Sequence, residues 1–155
     1  MNNPFWDYSI AHYAIDGVAP ACVALQDEFG LDVNVVLYAA WWGARGMRLE
    51  QRHLNAIETA VAPWRNHVVV PLRKLRRQWR DYPGEGEFRD AVKALELQAE
   101  RRQQDMMYEL GLDAGVHRNS SPAVAPNLLL LASQGGAKRA GLEAAVHSLA
   151  ALLQA

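Results

Sequence analysis

The sequence predicts an all-α protein, a compact bundle of about six helices packed antiparallel or orthogonally and followed by a C-terminal helical tail. Three observations predict it. Apolar residues recur at helical spacing almost throughout the 155 residues, alternating strand patterns are nearly absent, and Pro and Gly fall where helices would start and stop. Half of the residues are hydrophobic, enough for a chain of this length to build a core without disulfide or metal.

The first helix is expected from Pro4 to Ile15, with Pro4 in its first turn and Asp16-Gly17 as its break. A second starts near Pro20 and ends at Gly30, a suitable residue just past a helix end. Asp32 caps a third that runs to Ala44. Leu49 to Val61 is a fourth, and Pro63 opens a fifth that runs to Tyr82. Within it Val68-Val69-Val70 is β-like and reads as helix or as a local kink before Pro71. A turn at Pro83-Gly84 leads to the longest helix, Glu87 to Leu110, whose stripe Phe88, Val92, Leu95, Ala99 and Met106 is expected to be buried.

The domain plan is a helical domain over 1–111, a linker over 112–126 rich in Gly, Pro and Ser, and a tail over 127–155. In the tail, Asn127–Ser133 and Ala137–Leu153 read as helices split at Gly135-Gly136. Leu142, Val146, Leu149 and Leu153 form one stripe. It needs a covering surface, on its own domain or on a second copy, so a homo-oligomer through this helix stays open.

The string Gly17-Val18-Ala19-Pro20-Ala21-Cys22-Val23-Ala24-Leu25-Gln26-Asp27, followed by Gly30-Leu31-Asp32-Val33-Asn34-Val35-Val36-Leu37-Tyr38 and Trp41, resembles an uncharacterised family of short proteobacterial proteins, the domain-of-unknown-function 2390 family. The likeness covers about the first two thirds of the chain. It implies no activity and no catalytic residues.

Sixteen Lys and Arg stand against seventeen Asp and Glu, a balance that argues against a dedicated nucleic-acid binder. Cys22 is the lone cysteine, so neither an internal disulfide nor a thiolate metal cluster can form; its apolar neighbours make it an inert core thiol. The first residues lack the pattern of a signal peptide, and no apolar run approaches bilayer length, so a cytoplasmic location and no membrane association are expected.

Glu50 and His53 have the Glu-x-x-His spacing of di-iron bundles, but no second such pair exists. An exposed helix pair is expected there, and neither metal nor cofactor. Nucleophile-elbow, phosphate-loop and dinucleotide motifs are absent. Catalytic residues are therefore not assigned, and whether the chain is an enzyme stays open.

Two groups of residues carry the functional expectations. Gln26, Asp27, Asp32 and Asn34 gather around one helix–helix turn, with Tyr38 and Trp41 nearby, and form either a polar ligand pocket or a structural network. Asn34 is the odd member, a polar residue among Val33, Val35, Val36 and Leu37. Adjacent Trp41 and Trp42 cannot face one direction, so one is expected at the edge of the core. On the fifth helix, Trp64, Val68, Leu72, Leu75 and Trp79 share a core-facing side, while Arg73, Arg76, Arg77 and Arg80 form a basic stripe on another. That stripe either meets an acidic partner or pairs with Glu96, Glu100 and Asp105 of the next helix. The leading expectation is a non-enzymatic interaction or regulatory adaptor with a protein partner. The alternatives are a small-ligand-binding protein or enzyme using the polar group, and RNA or DNA binding through the fifth helix.

Overall fold

The computed structural model describes residues 2–82, 84–114, 116–134 and 140–155. Its helices are α1 (Pro4–Tyr13), α2 (Val18–Phe29), α3 (Val33–Ala44), α4 (Gln51–Trp64), α5 (Val70–Trp79), α6 (Gly86–Glu109), α7 (Val124–Ala132) and α8 (Leu142–Gln154). A π-helical turn, Arg65–Val69, joins α4 to α5, so the two form one continuous rod and the described residues make a bundle of seven. No strand occurs among the described residues. Pro83, the Gly135-Gly136 break and the expected start at Ala137 lie outside them.

Local chemistry explains most boundaries. Asn3 caps α1, its Oδ1 accepting from the backbone N–H groups of Phe5 and Trp6 at 3.0 and 3.2 Å. Gly30 adopts φ +69° and ends α2 with paired bonds, Gly30 N–H to the Gln26 carbonyl and Leu31 N–H to the Leu25 carbonyl. Asp32 caps α3 as expected, accepting from Asn34 N–H at 2.9 Å. Pro20 and Pro126 each sit in the third position of a helix, so α2 and α7 begin two residues before their prolines. A first-turn proline removes an N–H that has no helical acceptor.

Pro63 neither ends nor opens a helix; it lies inside α4. The interruption comes at Pro71 instead. With no N–H to donate, and a ring that collides with the carbonyl four residues back, Pro71 disfavours an ordinary α turn there. The chain widens by one residue, and Val70 N–H bonds to the Arg65 carbonyl. The valine run is this π turn.

Helix α3 is the axis of the bundle. Every residue from Asn34 to Gly43 is buried, so the expectation that one tryptophan sits at an edge is corrected: both Trp41 and Trp42 are inside. An amphipathic surface helix has one wet side, but α3 is covered on all sides, by α1, α2 and α6 and, on the remaining side, by α7. The Arg45 guanidinium closes over the Trp41 ring at 4.1 Å.

The C-terminal helices join the same core. Leu142, Val146, Leu149 and Leu153 pack with Leu25, Val36 and Trp42 in one cluster, and α8 fills the angle between α2 and α7. The stripe left available for a second copy is thus buried within the chain. The segment before α7 runs along the end of α3. Asn119 N–H and Ala123 N–H donate to the carbonyls of Gly46 and Gly43, both at 2.8 Å. Asn127 completes the join. Its Oδ1 accepts from Leu49 N–H at 2.9 Å, and its Nδ2 donates to the carbonyls of Met47 and Ala39 at 2.8 and 3.2 Å.

The expected buried stripe of α6 is corrected. Phe88 and Leu95 are 62% and 51% exposed, and Val92 and Met106 are half-buried; of that set only Ala99 is buried. The inward face carries Glu96, Ala99, Gln103, Gln104 and Met107. Polar side chains occupy it because polar partners wait opposite, on α3 and α5.

Candidate functional site

Three buried polar residues of α6 organise the interior face of the α5–α6 hairpin. Glu96 is 5% exposed and accepts two bonds from Arg76, one through Nε and one through Nη2 at 3.2 Å; Arg73 Nε lies 3.5 Å away. Arg73 also donates from Nη2 to Glu100 at 3.1 Å. Burial pushes the Glu100 carboxyl above its usual range, and Arg73 opposes that rise. Gln103 Nε2 donates to Asp32 Oδ2 at 2.7 Å, and Gln104 Nε2 donates to Asn34 Oδ1 at 2.9 Å. The odd asparagine of α3 therefore meets an equally buried glutamine.

The candidate residues of the 26–38 region divide between several places. Asp32 is held by Gln103 and by Arg65 Nη1 at 3.2 Å, and Arg65 also engages Glu58. Asp27 is out on the surface, accepting from Arg77 at 3.1 Å. Tyr38 and Trp41 stay in the core, where Phe5 packs on Tyr38 edge to face at 5.0 Å and on Trp41 at 5.4 Å. Burial raises the Tyr38 hydroxyl to about 12. The Cys22 thiol is likewise raised to about 12 by burial, far from a nucleophile's range.

Of the basic stripe, Arg73, Arg76 and Arg77 bind carboxylates of the same chain. Among the described residues Arg80 pairs only with its neighbour Asp81, at 3.8 Å. Asp105, an expected partner, instead accepts from Asn3 Nδ2 at 2.7 Å.

The Glu-x-x-His pair is a helix start. His53 Nδ1 accepts from Glu50 N–H at 2.9 Å while its ring packs on Trp42. His53 is buried, not exposed as the spacing suggested, and desolvation lowers its pKa. Its capping role accounts for the spacing without a metal. Among the described residues, no three His, Cys, Asp or Glu side chains come together as a metal cage would need.

Between α1 and α2 on one side and α5 and α6 on the other lies a cleft of about 600 Å³. Its apolar walls include Ile10, Tyr13, Val23, Val33, Leu37 and Leu97. Ser9, Asn34 and Gln104 border it and are at most 5% exposed. Among the described residues Ser9 Oγ and Gln104 Oε1 have no hydrogen-bond partner, and both atoms are closed to solvent. Arg73, Arg76, Glu96 and Glu100 form the charged border. A second cleft of about 590 Å³ lies on the other side of Gln26 and Arg73, which border both, and takes in Asp32, Glu58 and Arg65. The structure thus brings Gln26 and Asn34 to the first cleft with Arg73, Arg76 and Arg77, and sends Asp32 to the second.

Ser9, Gln103, Gln104 and Glu96 were missed as site residues by the sequence reading. The usable signal was their spacing. Positions 96, 99, 103 and 107 step by three and four along α6, so polar residues share a face with Ala99 and Met107.

Residues 4–107 match the family described as Protein of unknown function (DUF2390). The chain belongs to the DUF2390 family. No curated protein and no solved structure matches it. Every residue bordering the first cleft, from Trp6 to Gln104, lies inside the DUF2390 segment. The second cleft borrows Leu131 and Gln134 from beyond it. Asn127, α7 and α8 also lie outside the DUF2390 match; they serve as its packing surface.

Proposed function

We propose that this chain is a small-ligand-binding helical protein of a proteobacterial cytoplasm, with its site in the cleft bordered by Ser9, Asn34 and Gln104. One observation carries the reading: a cleft of about 600 Å³ with apolar walls and the polar residues Ser9, Asn34 and Gln104 on its border. Sites for small molecules span roughly 300–1,000 Å³ and combine apolar lining with a few fixed polar groups. Binding is assigned here, and no reaction. Substituting Ala94, an exposed residue at the border, tests this. Native mass spectrometry of protein purified from its own cell is expected to show a small-molecule adduct, and Ala94→Trp, which adds bulk at the border, is expected to reduce it. Equal adduct occupancy in the folded variant, or a bare wild-type protein, would count against the site.

A second reading, the adaptor with a protein partner, is favoured by a different observation. Tyr82, Phe88 and Leu95 are 64%, 62% and 51% exposed on the α5–α6 hairpin, an apolar area fitted to an apolar helix of another protein. The arginine stripe gives that reading less support, because three of its four members are already engaged by carboxylates within the chain. The same pairing weakens the case for nucleic acid. No helix among the described residues is long and apolar enough to cross a membrane.

A further inference from the structure

The two apolar stripes that the sequence marks for burial, Trp64 to Trp79 on one helix and Phe88 to Ala99 on the next, lie along the outer seam of the α5–α6 hairpin. Helix α5 packs chiefly on α6 and buries none of its residues fully. Each stripe covers part of the other, and Tyr82, Phe88 and Leu95 stay exposed. Such a hairpin is half of a four-helix bundle. We propose that a second copy of this chain supplies the other half, the two hairpins packing seam to seam about a two-fold axis with their α6 helices antiparallel. The ligand cleft lies on the opposite side of α6, with Lys93, Leu97 and Gln104, so this inference does not rest on the ligand-binding reading.

The spacing along α6 points to a second copy and not to an unrelated protein. Glu85, Phe88, Val92, Leu95, Ala99 and Arg102 follow one another at steps of three, four, three, four and three, along one side of the helix. That order reads the same in both directions. Laid antiparallel on its own copy, the stripe sets Glu85 against Arg102, Phe88 against Ala99 and Val92 against Leu95, and the two-fold repeats each pair. Every pair is complementary. Phe88 stands out at one end of the seam, edge-on to Trp79 at 6.1 Å. At the other end the small, buried Ala99 borders an apolar groove of about 450 Å³ with Trp64, Val68 and Leu72, where the partner's ring would arrive. Glu85, at the tip, takes part in no ion pair among the described residues. Arg102, at the base, reaches Glu109 through one nitrogen at 3.2 Å, an exposed pair that contributes little. Between these ends the neighbouring exposed positions of α6, Ala91 and Gln98, are uncharged. From Glu85 to Arg102 the face runs about 25 Å at the helical rise, and two helices make it about 20 Å wide. Two copies would bury roughly 1,000 Å² or more in total, the low end of a specific interface. A micromolar dimer is expected.

Sedimentation equilibrium of the full chain over a concentration series reaching the millimolar range tests this. The mass is expected to rise from that of one chain toward that of two. Leu95→Glu, at an exposed position, is expected to weaken the dimer at least about ten-fold. Glu85→Arg and Arg102→Glu each set like charges against each other across the axis, and each is expected to weaken it several-fold. Mixed in equal amounts, those two variants regain opposite charges at both ends, and the mixed dimer is expected to recover the wild-type affinity. A foreign partner or a different face gives no such rescue. A wild-type chain that stays monomeric at the highest concentration overturns the proposal and leaves the face to a foreign helix; that comparison stands even where a variant fails to fold. Dimerisation indifferent to Leu95→Glu overturns the choice of face. Charge variants that weaken the dimer singly and are not rescued on mixing overturn the antiparallel pairing. None of these outcomes bears on the ligand cleft.

Discussion

Gly43→Ala is expected to destabilise the protein by about 3 kcal/mol, on the scale of overpacking a filled interior. A Cβ at Gly43 would lie 2.5 Å from the backbone N and Cα of Val124 and 2.6 Å from the Ala123 carbonyl carbon. Those are backbone atoms at the start of α7, so no rotamer change relieves the contact. The Ala123 N–H bond to the Gly43 carbonyl holds the two segments at this separation. Either α7 moves off α3 or the chain carries the strain. Urea unfolding measures the loss, and for a protein of this size a melting temperature about 10 °C lower should accompany it. A loss under about 1 kcal/mol would mean that α7 does not press on α3 as described.

Asn127→Leu should cost a comparable amount, about 3 kcal/mol, by a different route. Asn127 is 1% exposed, and all of its polar groups are used. Leucine fills similar space but strands the Leu49 N–H and removes a partner from the Met47 and Ala39 carbonyls. Asn127→Asp should be the worse of the two. It keeps an acceptor for Leu49 N–H, but its second oxygen faces two carbonyl oxygens, and it brings a charge into the core. Denaturant unfolding of both variants orders them. An aspartate tolerated as well as asparagine would show that the bonds to Met47 and Ala39 contribute nothing.

These two residues show which part of the fold was legible. Helices α1 to α3 followed from their caps and spacing, with Asp32 and Gly30 in the expected roles. Gly43 and Asn127 looked ordinary in sequence because their reasons are long-range: one meets the backbone of α7, the other the ends of α3 and α4. The same limit hid the second buried face of α3. Nothing local to Trp41 and Trp42 announces that α7, some eighty residues on, will cover the side that a surface helix leaves wet.

The polar residues of the candidate site were legible in part. Asn34 stood out as a polar residue among valines, which pointed to a buried partner without naming it. The partner, Gln104, is obscured because apolar spacing along α6 favours a face with Phe88 and Leu95 as the inward one. These are exposed, and the polar face turned inward because Arg73, Arg76, Asp32 and Asn34 stand opposite it. A charge stripe and a polar helix face that neutralise each other cannot be told from two solvated surfaces until their pairing is known. Asp27 and Asp32 looked like members of one cluster because they are near in sequence, yet the turn at Gly30 and Leu31 sends them to different neighbours.

We propose binding in the cleft between the first two helices and the α5–α6 hairpin. The most direct measurement is a fragment screen of the full-length chain by NMR, with a chemically mixed library and every backbone amide as a reporter. Hits are expected to converge on Ser9, Leu37 and Leu97, with the side-chain amide of Asn34 among the signals that move most. Hits gathered on the outer hairpin face around Tyr82, Phe88 and Leu95, with the cleft silent, would contradict it.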